Sequence, residues 1–413
     1  MHTDRRTKVL HICAPIASEG AGAAAVLTHE ALLRRGVDSR ILFLKETTAD
    51  GTRSFSFAHL SRGNRIRQLV LSLLDRAPVL TYRHREARLF SPGLMGLALE
   101  QVELFRWADV VHLHWINHGF INVRDIGRWQ KPVVWTMRDM WAFTGGCHYS
   151  LNCDRYAREC GRCPVLGSES DKDLSRRVLA HKRACLPSAP IHWVAISRWL
   201  RDSALRSSLL QGKEIRVIAS GIKTAAFTDV DSHSARAALG IPEEGRVVLL
   251  GANNLRDKHK GFAVALDALR ATPDPLTVVT FGRTGISAGE LPHRVVNLGY
   301  VNGPAALSRV YGAADVFMAP SLGEAFGKTF AEAQCCGLPV VCFSDSGPAD
   351  IVEHRKTGYL AVYGDGEDVR RGLVFALSEK FDRRYISQRA RKLFDIDTVA
   401  AEYSDLYEEC TRN

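Results

Sequence analysis

The sequence predicts an α/β protein of two Rossmann-like, parallel-sheet domains, and three observations predict it. Its 413 residues exceed what a single hydrophobic core serves. Apolar runs of strand length alternate with helix-length segments, as βαβ units require. The alternation then starts afresh, which places residues 1–217 in one domain and 218–394 in the other. In chain order, "KVLHICAP" reads as a strand, "IASEGAGAAA" as a glycine-bearing loop, "AVLTHEALLRRG" as a helix and "VDSRILFL" as the returning strand. "ADVVHLHW", "KPVVWTMRD" and "IHWVAIS" add strands ending in polar or aromatic residues. The second series opens near "IRVIASGI" and runs through "RVVLLGANN", "LTVVTFG", "RVVNLGYV", "ADVFMAPS" and "LPVVCF". A tail over about 395–413 puts Val399, Tyr403, Leu406 and Tyr407 on one helical face, so it is expected to pack back on the N-terminal domain. Open parallel sheets carry their active sites at the carboxyl ends of strands, so the ends of these runs are where chemistry is expected.

Composition narrows the partners. A hydrophobic content of 46% is ordinary for a globular chain, and no run of apolar residues is long enough to span a bilayer. "MHTDRRTKVLHICAP" passes from charges directly into a strand, without the apolar stretch and cleavage site of a signal peptide. A cytoplasmic protein with reduced cysteines is the expectation. The net charge of +10 favours an anionic partner: a nucleic acid, an acidic membrane surface or a phosphorylated substrate. No RNA- or DNA-binding module is present, so nucleic acid is not expected. The positive charge is uneven: Arg62, Arg65, Arg67, Arg76, Arg83, Arg85 and Arg88 stand against only Asp75 and Glu86. Within that window "IRQLVLSLLDRAPVL" has one apolar side, as a membrane-surface helix has. The plainer reading is a solvated basic face with its leucines turned into the core.

The chemistry concentrates in "SLGEAFGKTFAEAQCCGLPVV", Ser321 to Val341. A helix is predicted from about Gly327 to Cys336, ended by Gly337 and Pro339, with "PVVCF" as the next buried strand. Glu324 then lies in the loop entering the helix and Glu332 in its body. The free N–H groups at "GKTF" make a ready anion site. Arg256, Lys258 and Lys260 follow a strand end in "NNLRDKHKGF". A diphosphate between Lys260 and the helix terminus needs no metal for charge balance. Glu332 would accept hydrogen bonds from a ribose, and Glu324 from a sugar.

These blocks resemble the retaining glycosyltransferases of family 4, whose fold is GT-B: two Rossmann-like domains facing an interdomain cleft. The family's mark is a glutamate pair as in "EAFGKTFAE", followed by a helix and "GxPVV". "IASGIKTAAF", "HKGF", "NLGYV", "YGAADVFMAPS" and "DIVEHRKTGYL" match its other blocks in order. "VVHLHWINHGF", "VVWTMRDMWAFTGGCHY" and a downstream cysteine cluster resemble members that build surface polysaccharides, including colanic-acid-type enzymes. The resemblance implies a retaining transfer from a UDP- or GDP-sugar to a glycan or lipid-linked oligosaccharide, peripheral on the inner face of the cytoplasmic membrane. It implies that Glu332 holds the ribose, Glu324 the sugar hydroxyls, and Lys260 and Arg256 the diphosphate, helped by the backbone of Phe326, Gly327, Lys328 and Thr329. Gly20 and Gly22 would let the first N-terminal loop approach the donor phosphate, His114 would stand beside the reacting sugar, and Arg138 and Asp139 would face the acceptor. Relatives commonly carry His at the position of Arg138 and Asp at that of Lys223, so an anionic acceptor or merely a changed surface is read at Arg138.

No cofactor is expected for catalysis. Cys147, Cys153, Cys160 and Cys163 lie in "CHYSLNCDRYARECGRCP", a spacing that suits a structural zinc knot, with disulfides or four free thiols as the other readings. Asp229, Asp231, Asp395 and Asp397 read as surface carboxylates rather than metal ligands. A nucleotide-sugar epimerase of the same fold and a non-catalytic nucleotide-sugar-binding subunit are the alternative functions; the second would be expected to lose Glu324 or Lys260, and both are present.

Overall fold

The computed structural model describes residues 6–14, 20–44, 53–57 and 63–412. They form two compact units, one running to Gly221 and resuming at Val399, the other spanning Ile222–Thr398.

The first unit is built on β1 (Lys8–Cys13), β2 (Asp38–Phe43), β3 (Ser54–Ser56), β4 (Val110–Leu113), β5 (Val133–Met137), β6 (Ile191–Ala195) and β7 (Ile215–Val217). Their order is β3-β2-β1-β4-β5-β6-β7, parallel throughout. Every residue of β4 and β5 is buried, which is why these strands read as continuous apolar runs instead of alternating ones. Strand order reverses between β1 and β4. "IRVIASGI" closes this first sheet and does not open the second, because Ile215 pairs with Trp193 of β6. Crossing comes at Ile222, whose amide donates to the Phe394 carbonyl and whose carbonyl accepts from the Ile396 amide.

The second unit carries β8 (Arg246–Gly251), β9 (Leu276–Phe281), β10 (Arg294–Asn297), β11 (Val316–Met318), β12 (Val340–Phe343) and β13 (Gly358–Ala361). Their order is β10-β9-β8-β11-β12-β13, again all parallel. Val248, Leu250, Val278, Met318, Val341 and Phe343 form part of its core. Here the order reverses between β8 and β11.

Two local expectations change. Gly20 and Gly22 are not in a loop: they occupy the first turn of the helix Gly20–Arg34, since the alanine-rich run that follows them is itself helix-forming. Gly20 opens that helix with φ +48°, a left-handed conformation glycine adopts without penalty. Residues 15–19 of the expected loop lie outside the described residues, as does Arg62. The basic segment does form a helix, Asn64–Leu80, but its leucines are not in the core. Ile66, Leu69, Leu73 and Leu80 are each more than half exposed, while Gln68 and Asp75 are buried. Val79 packs into the core near the helix end, but Gln68 and Asp75 make the rest of the inward side polar, and the Asp75 carboxylate accepts from the amides of Gly93, Leu94 and Met95.

The last helix, Ile396–Arg412, buries Val399, Tyr403, Leu406 and Tyr407. The Tyr407 hydroxyl lies 2.7 Å from His112 Nδ1, and that of Tyr403 2.8 Å from Thr136 Oγ1.

Candidate functional site

In the second unit the strand pair at the switch point, β8 and β11, sends out the two loops that carry the predicted charges. The loop after β8 ends in a short turn at Lys258–Lys260, closed by Gly261 at φ +67°. A Cβ on Gly261 would stand 1.7 Å from the Pro320 carbonyl oxygen, so only glycine lets the β8 loop reach the β11 loop here. The amides of Leu322 and Gly323 then donate to the His259 carbonyl, stitching the two loops together. Across that seam Lys260 Nζ donates to Glu324 Oε2 at 2.7 Å. The side chains are 25% exposed for Lys260 and 18% for Glu324, so the ion pair is largely shielded from solvent.

Lys328–Cys335 is helical, one residue shorter at each end than expected. Gly327 enters it at φ +91°, and a Cβ there would sit 2.5 Å from the Phe330 ring and 2.9 Å from Pro348. Phe330 and Ala331 both donate to the Gly327 carbonyl, so the amides of Lys328 and Thr329 precede the first intrahelical acceptor, as at any helix start. The Phe326 amide is already used: it donates to the Glu324 carboxylate. Phe326 itself is buried, with its ring 5.5 Å from that of Phe394.

The two glutamates differ in electrostatic state. Burial pushes the Glu324 carboxyl up, but Lys260, His259 and the Phe326 amide together outweigh it and hold the group below the ordinary value. Burial also pushes Glu332 up, and there it prevails over Lys328 and the Tyr311 hydroxyl. Lys328 Nζ is 3.9 Å from Glu332, and the Tyr311 hydroxyl donates to it at 3.3 Å, neither a strong contact. Glu332 is therefore a buried carboxylate with acceptor capacity to spare. Arg256 takes a different course from Lys260: its guanidinium donates to Glu290 at 2.9 Å and to the Gly285 carbonyl at 3.2 Å.

In the first unit the β1–β4 switch point gathers histidines. Arg138 Nη2 donates to His114 Nδ1 at 3.1 Å, leaving His114 Nε2 to carry the proton toward His11 Nδ1 at 3.0 Å. His11 Nε2 is buried without a hydrogen-bond partner. Burial holds His11, His112 and His114 well below the ordinary histidine value, so the rings are neutral. Arg138 also donates to Ser220 at 2.9 Å. Asp139 is saturated by the Trp115 indole, the Trp141 amide and His148. The histidine cluster was not foreseen; only His114 was singled out, because the register bringing His11 opposite His112 belongs to the sheet and not to any motif.

The ligand nitrogens of His11, His112 and His114 lie within 4.8 Å of one another, a buried group spaced for a structural metal ion. His112 already lies within hydrogen-bond distance of Tyr407 and Thr136 through its two nitrogens, so the cluster as it stands is a hydrogen-bonded network. Cys147, Cys153, Cys160 and Cys163 are free thiols lining one small cavity. One member of each aspartate pair has a structural role: Asp231 caps a helix through Ser234, and Asp395 accepts from Thr224.

Residues 231–393 match the family described as "Glycosyl transferases group 1". Over 430 aligned positions, 97% of this chain and 99% of the relative, the chain is 23% identical to an Escherichia coli (strain K12) protein named "Putative colanic acid biosynthesis glycosyl transferase WcaC". It is 28% identical over 275 residues to the D-inositol 3-phosphate glycosyltransferase of Jonesia denitrificans, covering 60% of that protein's length. Among solved structures, Anabaena HepE in complex with UDP and glucose superposes with a TM-score of 0.62 at 16% identity, over 98% of this chain and all of that one. Sucrose-phosphate synthase from Thermosynechococcus elongatus gives 0.66 at 18% identity, over 98% and 99%. These likenesses show the GT-B fold and a relationship to glycosyltransferases.

Proposed function

We propose, for a GT-B-fold relative of the group 1 glycosyl transferases, that this chain moves a sugar from a nucleotide-sugar donor to a glycan acceptor with retention of configuration. The observation that carries the proposal is the seam between the β8 and β11 loops. It sets the Lys260–Glu324 ion pair beside a helix start with glycine at φ +91° and a buried, under-used carboxylate, Glu332, one turn inside. That is a cradle for an anion flanked by hydroxyl groups. The amides of Lys328 and Thr329 would meet the diphosphate, Glu332 the ribose diol, and Lys260 would shift part of its charge from Glu324 to the phosphate as the donor seats. Glu324, released in part, would take the donor sugar's hydroxyls. Arg256 joins only if it leaves Glu290.

In the transfer the bond from the anomeric carbon to the diphosphate oxygen breaks and the acceptor oxygen bonds to the same face. The acceptor's proton passes to the departing diphosphate. Catalysis then rests on positioning and on stabilising the charge that develops on the diphosphate. His114, Arg138 and Asp139 are assigned to the acceptor side, with His114 acting as a neutral ring. The described residues contain no helix long and apolar enough to cross a membrane, and the exposed apolar helix Asn64–Leu80 with Arg65, Arg67 and Arg76 is assigned to an anionic lipid surface carrying the acceptor. A panel of nucleotides and nucleotide sugars in a thermal-shift assay tests the reading, since a ligand of the folded state alone raises Tm. One nucleoside diphosphate and its sugar should stand out. A flat response across the panel refutes the donor site.

A further inference from the structure

We propose that Cys147, Cys153, Cys160 and Cys163 bind one zinc ion as a tetrahedral thiolate site that fixes the segment between β5 and β6. The four side chains line a single cavity of about 20 Å3. A water-sized body needs roughly 10–15 Å3, so the space suits one ion. A Zn–S bond of about 2.3 Å requires neighbouring sulfurs about 3.8 Å apart.

Three further features are arranged as a metal–thiolate site demands. Backbone amides point at the sulfurs: those of Val165 and Leu166 at Cys163, and that of Gly145 at Cys160. Burial keeps the Cys160 thiol up at about 12 and pushes that of Cys163 up as well, so these donors orient the sulfurs without ionising them in the metal-free chain. The backbone at Cys160, Gly161 and Arg162 is left-handed in three consecutive residues, at φ +57°, +95° and +43°. Two of the three are not glycine, and such a conformation persists only where the surroundings over-determine it. The turn is held by Arg162 donating to the Ser170 carbonyl, Gly161 to the Ser175 hydroxyl and Cys163 to Asp173. Finally, Lys182 is fully buried, its ammonium donating to the carbonyls of Trp141 and Thr144 and lying 3.8 Å from the Trp141 ring. It touches no carboxylate; burial pushes the ammonium down to about 7, against the opposing pull of Cys147, Cys160 and Asp139. A buried cation needs a counter-charge. Zinc binding releases the four thiol protons and leaves a centre of net charge −2, which supplies it.

The site would act at a distance on the acceptor side. Trp141 and Thr144, held by Lys182, follow directly from Asp139, and His148, one residue past Cys147, bonds Asp139 at 2.6 Å.

The test is metal analysis of the full chain purified without chelator, together with its cobalt-substituted form. About one zinc per chain is expected, with cobalt giving thiolate-to-metal charge-transfer bands and tetrahedral d–d bands. The Cys160→Ser/Cys163→Ser variant should lose at least tenfold in zinc affinity. Stable, metal-free protein with four titratable thiols would overturn the proposal. So would cobalt spectra lacking thiolate bands, or zinc kept by the cysteine variant and lost by His112→Gln, because the ion would then belong to the histidines. Cobalt spectra of the unmutated chain decide the matter even if the variant does not fold.

Discussion

Glu324 and Glu332 share one loop-helix segment yet respond to burial in opposite ways. Lys260 holds Glu324 below its ordinary value of 4.5. That pair contributes stability which is complete above the ordinary value and is lost as pH falls through the lowered one. Glu332 lies above 4.5, so the folded state prefers it protonated, and stability declines as pH rises from 4.5 through the raised value. Glu332→Gln should therefore raise the Tm of ligand-free protein at neutral pH while weakening nucleoside diphosphate binding. A hydrogen bond to a charged group contributes about 1.5–3 kcal/mol, which is about 10- to 150-fold in affinity. A lowered Tm with unchanged affinity would remove Glu332 from the site. Glu324→Gln should do the reverse. Lys260 loses its partner, Tm falls at neutral pH, and the gap to the unmutated protein closes as acid protonates Glu324. Turnover should drop with nucleoside diphosphate affinity nearly unchanged, because bonds to the sugar strengthen only as the anomeric carbon gains positive character. Equal loss of nucleotide affinity in both variants would contradict this division.

At the scale of elements, the helix Asn64–Leu80 is inverted relative to an ordinary surface helix. It buries Gln68, Asp75 and, near its end, Val79, and exposes Ile66, Leu69, Val70, Leu73 and Leu74. Its inner side is fixed by Asp75 receiving three backbone amides, so the apolar side has nowhere to turn but outward. Arginines beside exposed leucines suit an anionic bilayer, where each basic residue contributes roughly 1 kcal/mol and salt screens it. The protein should co-sediment with phosphatidylserine- or phosphatidylglycerol-containing vesicles at low salt and be released at high salt. Leu69→Ser/Leu73→Ser should abolish co-sedimentation without lowering Tm, since both side chains are more than half exposed. Unchanged vesicle binding by that variant would place the contact elsewhere.

For the molecule as a whole, the central strands and the glycine punctuation were legible because both sheets are parallel and their inner strands are buried on two faces. The short edge strands β3 and β13 carry no such apolar run and were not read as strands. The glutamate helix was legible to within a residue at each end, since Gly327, Gly337 and Pro339 mark its limits. Three further things were not. Whether "IRVIASGI" closed one sheet or opened the next depends on pairing with β6, which local pattern does not encode. The outward leucines depend on where Asp75 finds amides, twenty residues away in sequence. The Lys260–Glu324 pair and the Tyr311 contact to Glu332 arise from loops joined only by the fold. The central claim is that the β8–β11 seam of the second unit binds a nucleoside diphosphate. Calorimetric titration of UDP and GDP into the unmutated chain and into Lys260→Met tests it most directly. The account predicts one site per chain for one of the two nucleotides, weakened about 10- to 150-fold by the substitution. Binding of neither nucleotide, or equal affinity in both proteins, would contradict it.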